Sequence, residues 1–148
     1  GIKSGQVNHD ICCNVDFAPT FLDYASLVIP SYMQGDSLRP LFESRTPQDW
    51  PQVAYHRYWM HKDPDHNAYA HYGIRNQRYK LIYWYNEGFD LPGTNDGGDD
   101  KEWELFDCQD DPMELFNLYQ DPEYRLVVKE MTQLLNQKML SIGDRIEH

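Results

Sequence analysis

Residues 78 to 85, RYKLIYWY, restrict the fold of this chain more than any other stretch. Side chains alternate between the two faces of a β-strand, so a strand here is aromatic or apolar on both sides. One face consists of Tyr79, Leu81, Tyr83 and Tyr85, and the other of Ile82 and Trp84. Such a strand needs cover on both faces, and we expect a helix on one face and a second domain on the other.

Two further stretches predict partners for this strand. Residues 53 to 60, VAYHRYWM, and residues 102 to 107, EWELFD, are rich in β-formers. Residues 86 to 101 are rich in Gly and Asp and read as a loop. The sequence therefore predicts a small antiparallel sheet in which residues 78 to 107 form a hairpin with a long tip.

Helical periodicity appears near both ends of the chain. Residues 16 to 28 predict a helix capped by Asp16, with one apolar face formed by Phe17, Phe21, Tyr24, Ala25 and Val28. Residues 31 to 52 read as an irregular connection. Residues 111 to 114 carry the signature of a short helical turn, and Asp121 with Pro122 opens a terminal amphipathic helix of about four turns that ends at Gly143. A small sheet covered by a terminal helix is an α+β fold.

Composition excludes several classes of partner. The chain has a formal net charge of −11 at pH 7, which argues against binding to nucleic acid or to an anionic membrane. No apolar run approaches the ~20 residues of a membrane-spanning helix, and residues 1 to 10 do not resemble a signal peptide. Cys12, Cys13 and Cys108 are a poor disulfide framework, and we expect buried free thiols that behave as small hydrophobic side chains.

Two motifs suggest chemistry that their spacing does not support. His56, His61, His66 and His71 recur every five residues, a spacing that converges on a metal in neither a helix nor a strand. A metal site assembled through a loop stays open, but the more ordinary interpretation is that His56 lies on a strand and the other three line a loop. Residues 35 to 38, GDSL, match the nucleophile block of GDSL esterases, and residues 63 to 66, DPDH, resemble the block that completes their triad. The two blocks lie too close together for an α/β sheet to separate them.

A mixture of cations and aromatic residues between positions 66 and 85 is the strongest candidate for a binding site. His71 and Arg75 lie where a loop is predicted to lead into strand 78–85, beside several tyrosines. Arginine chelates sulfate or carboxylate, and aromatic rings pack on sugars, so this mixture suits an anionic sugar. Arg78 and Lys80 read instead as strand residues that pair with nearby carboxylates.

Three segments, in this order, resemble the C-terminal part of the formylglycine-dependent, arylsulfatase-like sulfatases. They are NVDFAPTFLDYASLVIPSYMQGDSLRPLF (14 to 42), HYGIRNQRYKLIYWY (71 to 85) and WELFDCQDDPMELFNLYQDPEY (103 to 124). The resemblance accounts for the GDSL block and implies that residues 1 to 50 end a large α/β sulfatase domain and its connection. Residues 51 to 148 would form the C-terminal subdomain, and the first helix would dock on the absent α/β domain.

The resemblance also implies a division of labour. The family's nucleophile is a cysteine in Cys-x-[Pro/Ser]-x-Arg that becomes formylglycine, and no cysteine of this chain has that context. Calcium and the catalytic residues would lie on the N-terminal part, so we expect this chain alone to be inactive. Its expected contribution is the rim of a pocket for a sulfated glycan, through five substrate-binding candidates: His71, Arg75, His66, His61 and Trp59. The full-length enzyme is expected to be exported to the periplasm, a lysosome or the exterior. The alternative is a stand-alone module that binds a sulfated glycan or a partner protein without chemistry.

Overall fold

The sheet predicted from residues 78 to 107 is present and has four strands. The computed structural model describes residues 2, 4–95, 97 and 100–148. Its strands are β1 (Ala54–Tyr58), β2 (His71–Arg75), β3 (Tyr79–Trp84) and β4 (Glu102–Asp107), in the spatial order β1-β2-β3-β4. The β2–β3 and β3–β4 pairs are antiparallel. The predicted α+β class and the β3–β4 hairpin are confirmed.

Strand β2 was not predicted, because the sequence indicated a loop at His71 and Arg75. Its pairing places His71 opposite Trp84 and Arg75 opposite Lys80. The turn into β3 is closed by Asn76, whose Oδ1 accepts hydrogen bonds from the backbone N–H groups of residues 78 and 79 at 2.8 and 2.7 Å. Strand β2 begins and ends with a polar residue and has a glycine at its centre, so its sequence does not show the alternating apolar pattern by which a strand is predicted.

Helix α3 (Arg125–Ser141) covers one face of the sheet. Asp121 caps the preceding 3-10 turn by accepting a hydrogen bond from the backbone N–H of Glu123 at 2.9 Å, as predicted. The helix buries Met131, Leu135 and Met139, and the sheet buries Tyr72, Ile74, Leu81, Tyr85 and Leu105. Each such side chain contributes roughly 1.5–3 kcal/mol through burial, so this layer is the main core of the unit Tyr55–His148.

The unit Gly1–Ala54 has its own small core of Leu38, Leu41 and Trp50. It contains a 3-10 turn (Asn14–Asp16) and the helices α1 (Phe17–Tyr24) and α2 (Arg39–Phe42). The prediction that residues 31 to 52 are wholly irregular was therefore wrong, since α2 and this core lie within them.

Helix α1 is shorter than predicted and is not capped by the Asp16 side chain. It ends at Tyr24, and Ser26 adopts a left-handed backbone with φ of 57°. The Asp16 carboxylate accepts hydrogen bonds from the backbone N–H groups of Cys13 at 2.7 Å and Asp36 at 3.0 Å instead. The predicted apolar face is exposed in this chain: Phe17 is 50% exposed and Phe21 is 71% exposed.

The helical turn predicted at residues 111 to 114 is not helical. Glu114 has a φ of 54°, and the Asp111 carboxylate accepts hydrogen bonds from the backbone N–H groups of Leu115 at 2.7 Å and Phe116 at 2.9 Å. The aspartate therefore organises a loop rather than a helix start. No disulfide joins Cys12, Cys13 and Cys108, but the expectation that these thiols are buried was wrong, because Cys12 is exposed and the other two are half-buried.

Candidate functional site

The sheet face opposite α3 carries most of the polar and aromatic side chains that could bind a ligand. His71, Gly73 and Arg75 alternate along β2 and point to the same side as their β3 partners Trp84, Ile82 and Lys80. Gly73 is required here because a Cβ would lie 2.7 Å from His56 Cε1 and 2.4 Å from the Leu81 carbonyl oxygen. The glycine lets β1 bring the His56 ring over β2.

His71 lies in an aromatic cluster on this face. Its ring centroid is 4.3 Å from that of Trp84, 5.5 Å from that of His56 and 5.8 Å from that of Tyr58. Its Nδ1 is 2.8 Å from the Tyr69 carbonyl oxygen, which favours the tautomer with the proton on Nδ1. Burial, followed by the electrostatic effects of the neighbouring His71 and Lys80, lowers the pKa of His56 to about 4. His56 is therefore neutral near pH 7.

Arg75 lies at the other end of β2, about 13 Å along the strand from His71. Its side chain is 48% exposed, and its NH1 is 3.9 Å from Glu114 Oε1. Glu114 is held more closely by Lys80, whose Nζ lies 2.6 Å from Glu114 Oε2. The charge of Lys80 is thus largely compensated by its ion pair with Glu114, whereas the Arg75 guanidinium can still chelate an anion.

Arg78 and Lys80 pair with carboxylates, as predicted. The Arg78 guanidinium donates to both oxygens of the buried Asp107, from Nε at 3.1 and 3.0 Å and from NH2 at 2.6 Å. These hydrogen bonds hold the pKa of Asp107 below its ordinary value. Arg78 therefore has a structural partner already.

His66 lies on the loop between β1 and β2, with 72% of its side chain exposed. Its Nδ1 is 3.0 Å from Asp63 Oδ1, which also accepts from the backbone N–H groups of residues 65 and 66. The Tyr58 hydroxyl donates to the other oxygen of Asp63. The Tyr58 hydroxyl and then the donors of His66 and Asp65 lower the pKa of Asp63 to about 2. Asp63 is consequently a fixed anion that orients His66.

His61 is fully buried at the base of the same loop. Its Nδ1 accepts a hydrogen bond from the Ala70 N–H at 3.1 Å, and its ring packs edge-on against Tyr69 at 5.6 Å. The loop is closed further by a hydrogen bond from the Lys62 N–H to the Ala68 carbonyl at 2.7 Å. His61 therefore fixes the loop that carries Tyr69.

Trp59 is 44% exposed just after β1. The Arg57 guanidinium carbon lies 3.7 Å above the Trp59 ring, and the Arg57 side chain is itself only 3% exposed. The five predicted residues thus do not converge on one point. His71 and Arg75 share a sheet face, His66 and Trp59 occupy exposed positions beside the strands, and His61 lies in the interior.

An open depression of about 320 Å³ adjoins His71 and was not predicted. Five residues line it: Tyr69, Trp84, Asn86, Glu102 and Glu104. We call it the Trp84 depression. The sequence offered one signal for it, namely that Glu102 and Glu104 alternate along a predicted strand and so share a face. That this face lies beside Trp84 depends on the strand register, which the sequence does not show.

Other sequence candidates have different partners in the structure. The Ser37 hydroxyl donates to Asp23 Oδ2 at 2.6 Å, so the GDSL serine is hydrogen-bonded to a carboxylate rather than to a histidine as a triad would need. Within residues 2, 4–95, 97 and 100–148, no group of three His, Cys, Asp or Glu side chains could hold a metal ion. None of the described helices has the length and apolar character needed to cross a bilayer.

A match to a sequence profile identifies the protein family of this chain. The profile described as "N-sulphoglucosamine sulphohydrolase, C-terminal" matches residues 1–141. The chain belongs to this family. The resemblance to the C-terminal region of arylsulfatase-like sulfatases, which rested on three motifs, is thereby confirmed.

Similar proteins agree with this family. The N-acetylglucosamine-6-O-sulfatase of Bacteroides thetaiotaomicron is 42% identical over 145 residues, which are 97% of this chain and 24% of that protein. An arylsulfatase of Clostridium perfringens is 26% identical over 133 residues, or 90% of this chain and 24% of that protein. A solved structure of a protein in complex with its substrate, D-glucosamine-2-N,6-O-disulfate, is 40% identical with a TM-score of 0.76, covering 88% of this chain and 24% of that one. The chain thus spans about a quarter of the length of these relatives.

Proposed function

We propose that this chain is the C-terminal segment of a sulfatase that hydrolyses sulfate esters on sulfated glycans. The observation that carries the proposal is the family match over residues 1–141, at 42% identity to a glucosamine-type sulfatase of which the chain spans 24%. A relative four times longer has room for a catalytic domain that this chain lacks.

The exposed face of α1 supports a missing partner domain. On α1, Phe17 is 50% exposed and Phe21 is 71% exposed, and Val28, four residues after the helix, is 90% exposed; exposed large apolar side chains grouped in one segment mark an interaction site. In the proposal, residues 1 to 50 complete the large α/β domain, α1 docks on it, and residues 51 to 148 form the subdomain that leans over the substrate. A stand-alone binding module would need its first helix covered within the chain, so the exposure favours the sulfatase segment.

The substrate role is assigned to the outer sheet face and the adjoining loop. Arg75 would chelate a sulfate oxygen pair. His71, whose Nδ1 proton is held by the Tyr69 carbonyl, would accept from a glycan hydroxyl at Nε2 as the neutral ring, or donate from Nε2 to a sulfate oxygen as the imidazolium. His66 and Trp59, both exposed, would contact the glycan at the rim. His61 would act through the loop that it fixes, as a positioning residue.

The chemistry of a sulfatase needs groups that this chain does not supply. The family uses formylglycine and calcium, and Cys12, Cys13 and Cys108 lack the sequence context of the formylglycine precursor. The described residues also offer no set of side chains fit to hold calcium. Nucleophilic attack and charge neutralisation are therefore assigned to the N-terminal part, and no catalytic residue is assigned here.

The first experiment measures the mass of the native gene product captured with an antibody against this chain. A species several times heavier than 17.6 kDa supports the proposal. A species near 17.6 kDa would leave no room for a formylglycine domain and would favour the non-catalytic binding module.

The second experiment measures sulfate release from sulfated glucosamine oligosaccharides by the full-length protein. Arg75→Ala should raise KM and lower kcat/KM by roughly tenfold or more, because it removes a charged hydrogen-bonding group, with kcat little changed. Arg125→Ala, an exposed arginine at the start of α3, serves as the charge-matched control. Unchanged kinetics of both Arg75→Ala and His71→Ala on every sulfated sugar tested would refute the site assignment.

A further inference from the structure

The Trp84 depression is lined by hydrogen-bond acceptors. Glu102 and Glu104 lie two residues apart on β4 and therefore project from the same face, with Glu102 directly opposite Trp84 in the register. Glu104 accepts a hydrogen bond from Trp84 Nε1 at 2.7 Å, which fixes the indole and leaves its second carboxylate oxygen for another donor. Tyr69, 42% exposed, completes an aromatic wall.

Asn86 gives independent support for a ligand. Only 7% of this residue is exposed, and its Nδ2 donates to the Asp100 carbonyl at 2.6 Å. Its Oδ1 is buried and has no hydrogen-bond partner within the described part of the chain. A buried acceptor without a donor is costly. Asn86 is one of the residues that line the depression, and a small movement of its amide would bring the buried Oδ1 within reach of an occupant.

The lining selects the chemistry of its occupant. Carboxylates and an amide oxygen together need a ligand rich in donors, and an indole beside a phenol ring suits a flat, partly apolar ring face. A metal ion does not fit, because no group of three potential ligands occurs among the described side chains. An anion is disfavoured, since one carboxylate about 5 Å away weakens anion binding by roughly fourfold in water without salt.

We propose that the Trp84 depression is a subsite for an uncharged sugar ring, whose hydroxyl groups donate to Glu102, Glu104 and Asn86 and whose face packs on Trp84. The ring of His71 is 4.3 Å from that of Trp84, so the subsite lies directly beside an assigned substrate-binding residue. This inference rests on the proposed function, since a glycan held at His71 would present its neighbouring ring there. The subsite would thereby select an uncharged ring over an anionic one at that position of the glycan.

The test is an NMR titration of the 148-residue chain with methyl β-glucopyranoside and, in parallel, with methyl β-glucopyranosiduronate. The two probes differ only in that a carboxylate replaces the C6 hydroxymethyl group. The neutral glycoside should shift the Trp84 indole and Asn86 side-chain amide signals with millimolar affinity, as its size allows. At low ionic strength the uronate should bind at least about fourfold more weakly.

Charge variants identify the cause. Glu102→Gln should reduce the ratio of the uronate and glucoside dissociation constants by roughly fourfold at low salt. The substitution alters an exposed side chain and does not disturb the core. Glu123→Gln removes the same charge from the turn before α3 and should leave the difference unchanged. Sulfate release by the full-length protein is not measured in this test, so the proposed function can fail independently.

Two results would overturn the inference. One is the absence of any shift of the Trp84 and Asn86 signals at high concentrations of the neutral glycoside. The other is binding of the uronate to the unmodified chain as tightly as the glucoside. Weak shifts spread evenly over the surface count as the first result.

Discussion

Asp144 should be far more important for stability than the arginine that it binds. The Arg57 side chain is 3% exposed, and its NH1 donates to Asp144 Oδ1 at 2.7 Å. Asp144 also accepts from the Tyr55 hydroxyl at 2.5 Å. Burial and then this carboxylate raise the pKa of Tyr55 well above its ordinary value, so the hydroxyl stays a donor. Asp144→Ala would leave the Tyr55 hydroxyl without this acceptor, and would leave the Arg57 guanidinium with weaker contacts to the Arg145 carbonyl at 3.2 Å and Glu147 at 3.7 Å.

The magnitude follows from the burial of the cation. Removing one partner of a buried ion pair costs about 3–5 kcal/mol, because the remaining charge is left uncompensated. Glu147 lies 3.7 Å from Arg57 NH2, and 14% of the Asp144 side chain is exposed, so water and Glu147 offset part of this loss. We expect Asp144→Ala to lower the free energy of unfolding by about 2–4 kcal/mol.

Arg57→Met is the matched comparison. It preserves packing on Trp59, Tyr72 and Tyr85 but removes the cation–π interactions, and its expected loss is about 0.5–2 kcal/mol. Asp144 keeps the Tyr55 hydroxyl and contact with water in this variant. The double variant should be more stable than Asp144→Ala alone, since it no longer buries an unpaired cation.

The assay is urea unfolding of the chain, followed through the amide NMR signals of β2 and β3. With a urea slope of roughly 2 kcal/mol per M, Asp144→Ala should lower the midpoint by about 1–2 M at constant slope. Equal losses for Arg57→Met and Asp144→Ala would show that the attraction of the pair, rather than the orphaned cation, provides the stability, and would refute the reasoning.

Three further predictions concern the outer sheet face and its loop. Gly73→Ala should destabilise the sheet by about 1–3 kcal/mol in urea unfolding, because the new Cβ overlaps the His56 ring and a strand carbonyl. Tyr58→Phe should raise the pKa of Asp63 from about 2 towards 3.8, because it removes a hydrogen bond to the carboxylate, and ¹³C NMR of the carboxyl group measures this change. In the unmodified chain, the contribution of Asp63 to stability is present above pH 3.8 and is lost as pH falls towards 2. His56 should titrate near pH 4 by NMR, and since its unfolded pKa of 6.5 is higher, the unfolded state binds more protons between these values and stability falls as pH decreases from 6.5 to 4.

Periodicity predicted the elements whose apolar residues repeat regularly. Strand β3 and helix α3 follow patterns of two and of about 3.6 residues, and both were found where the sequence indicated them. Strand β2 has no such repeat, because Gly73 carries no side chain and the polar His71 and Arg75 share its outer face. Its pairing is a tertiary property that local pattern does not encode.

The histidine series shows why equal spacing did not define a site. His61 is buried at the base of a loop, whereas His66, five positions later, has a 72% exposed side chain. His71 lies on β2 and His56 above it, so these two rings contact one another, with ring centroids 5.5 Å apart. Which histidines meet is set by strand register and loop closure, and neither can be read from spacing.

The charge layout of the outer sheet face limits how a sulfated ligand could be held. The chain carries a net charge of −11, so its long-range field repels anions, and screening over about 8 Å at physiological salt confines attraction to direct neighbours of a cation. Lys80 is neutralised by Glu114 at 2.6 Å, which leaves Arg75 as the main cation of its end of the sheet. Glu102 and Glu104 make the other end acidic. Under the proposed function, a sulfate would therefore bind at the Arg75 end while an uncharged ring occupies the Trp84 depression beside His71, and this polarity would orient a glycan along the sheet.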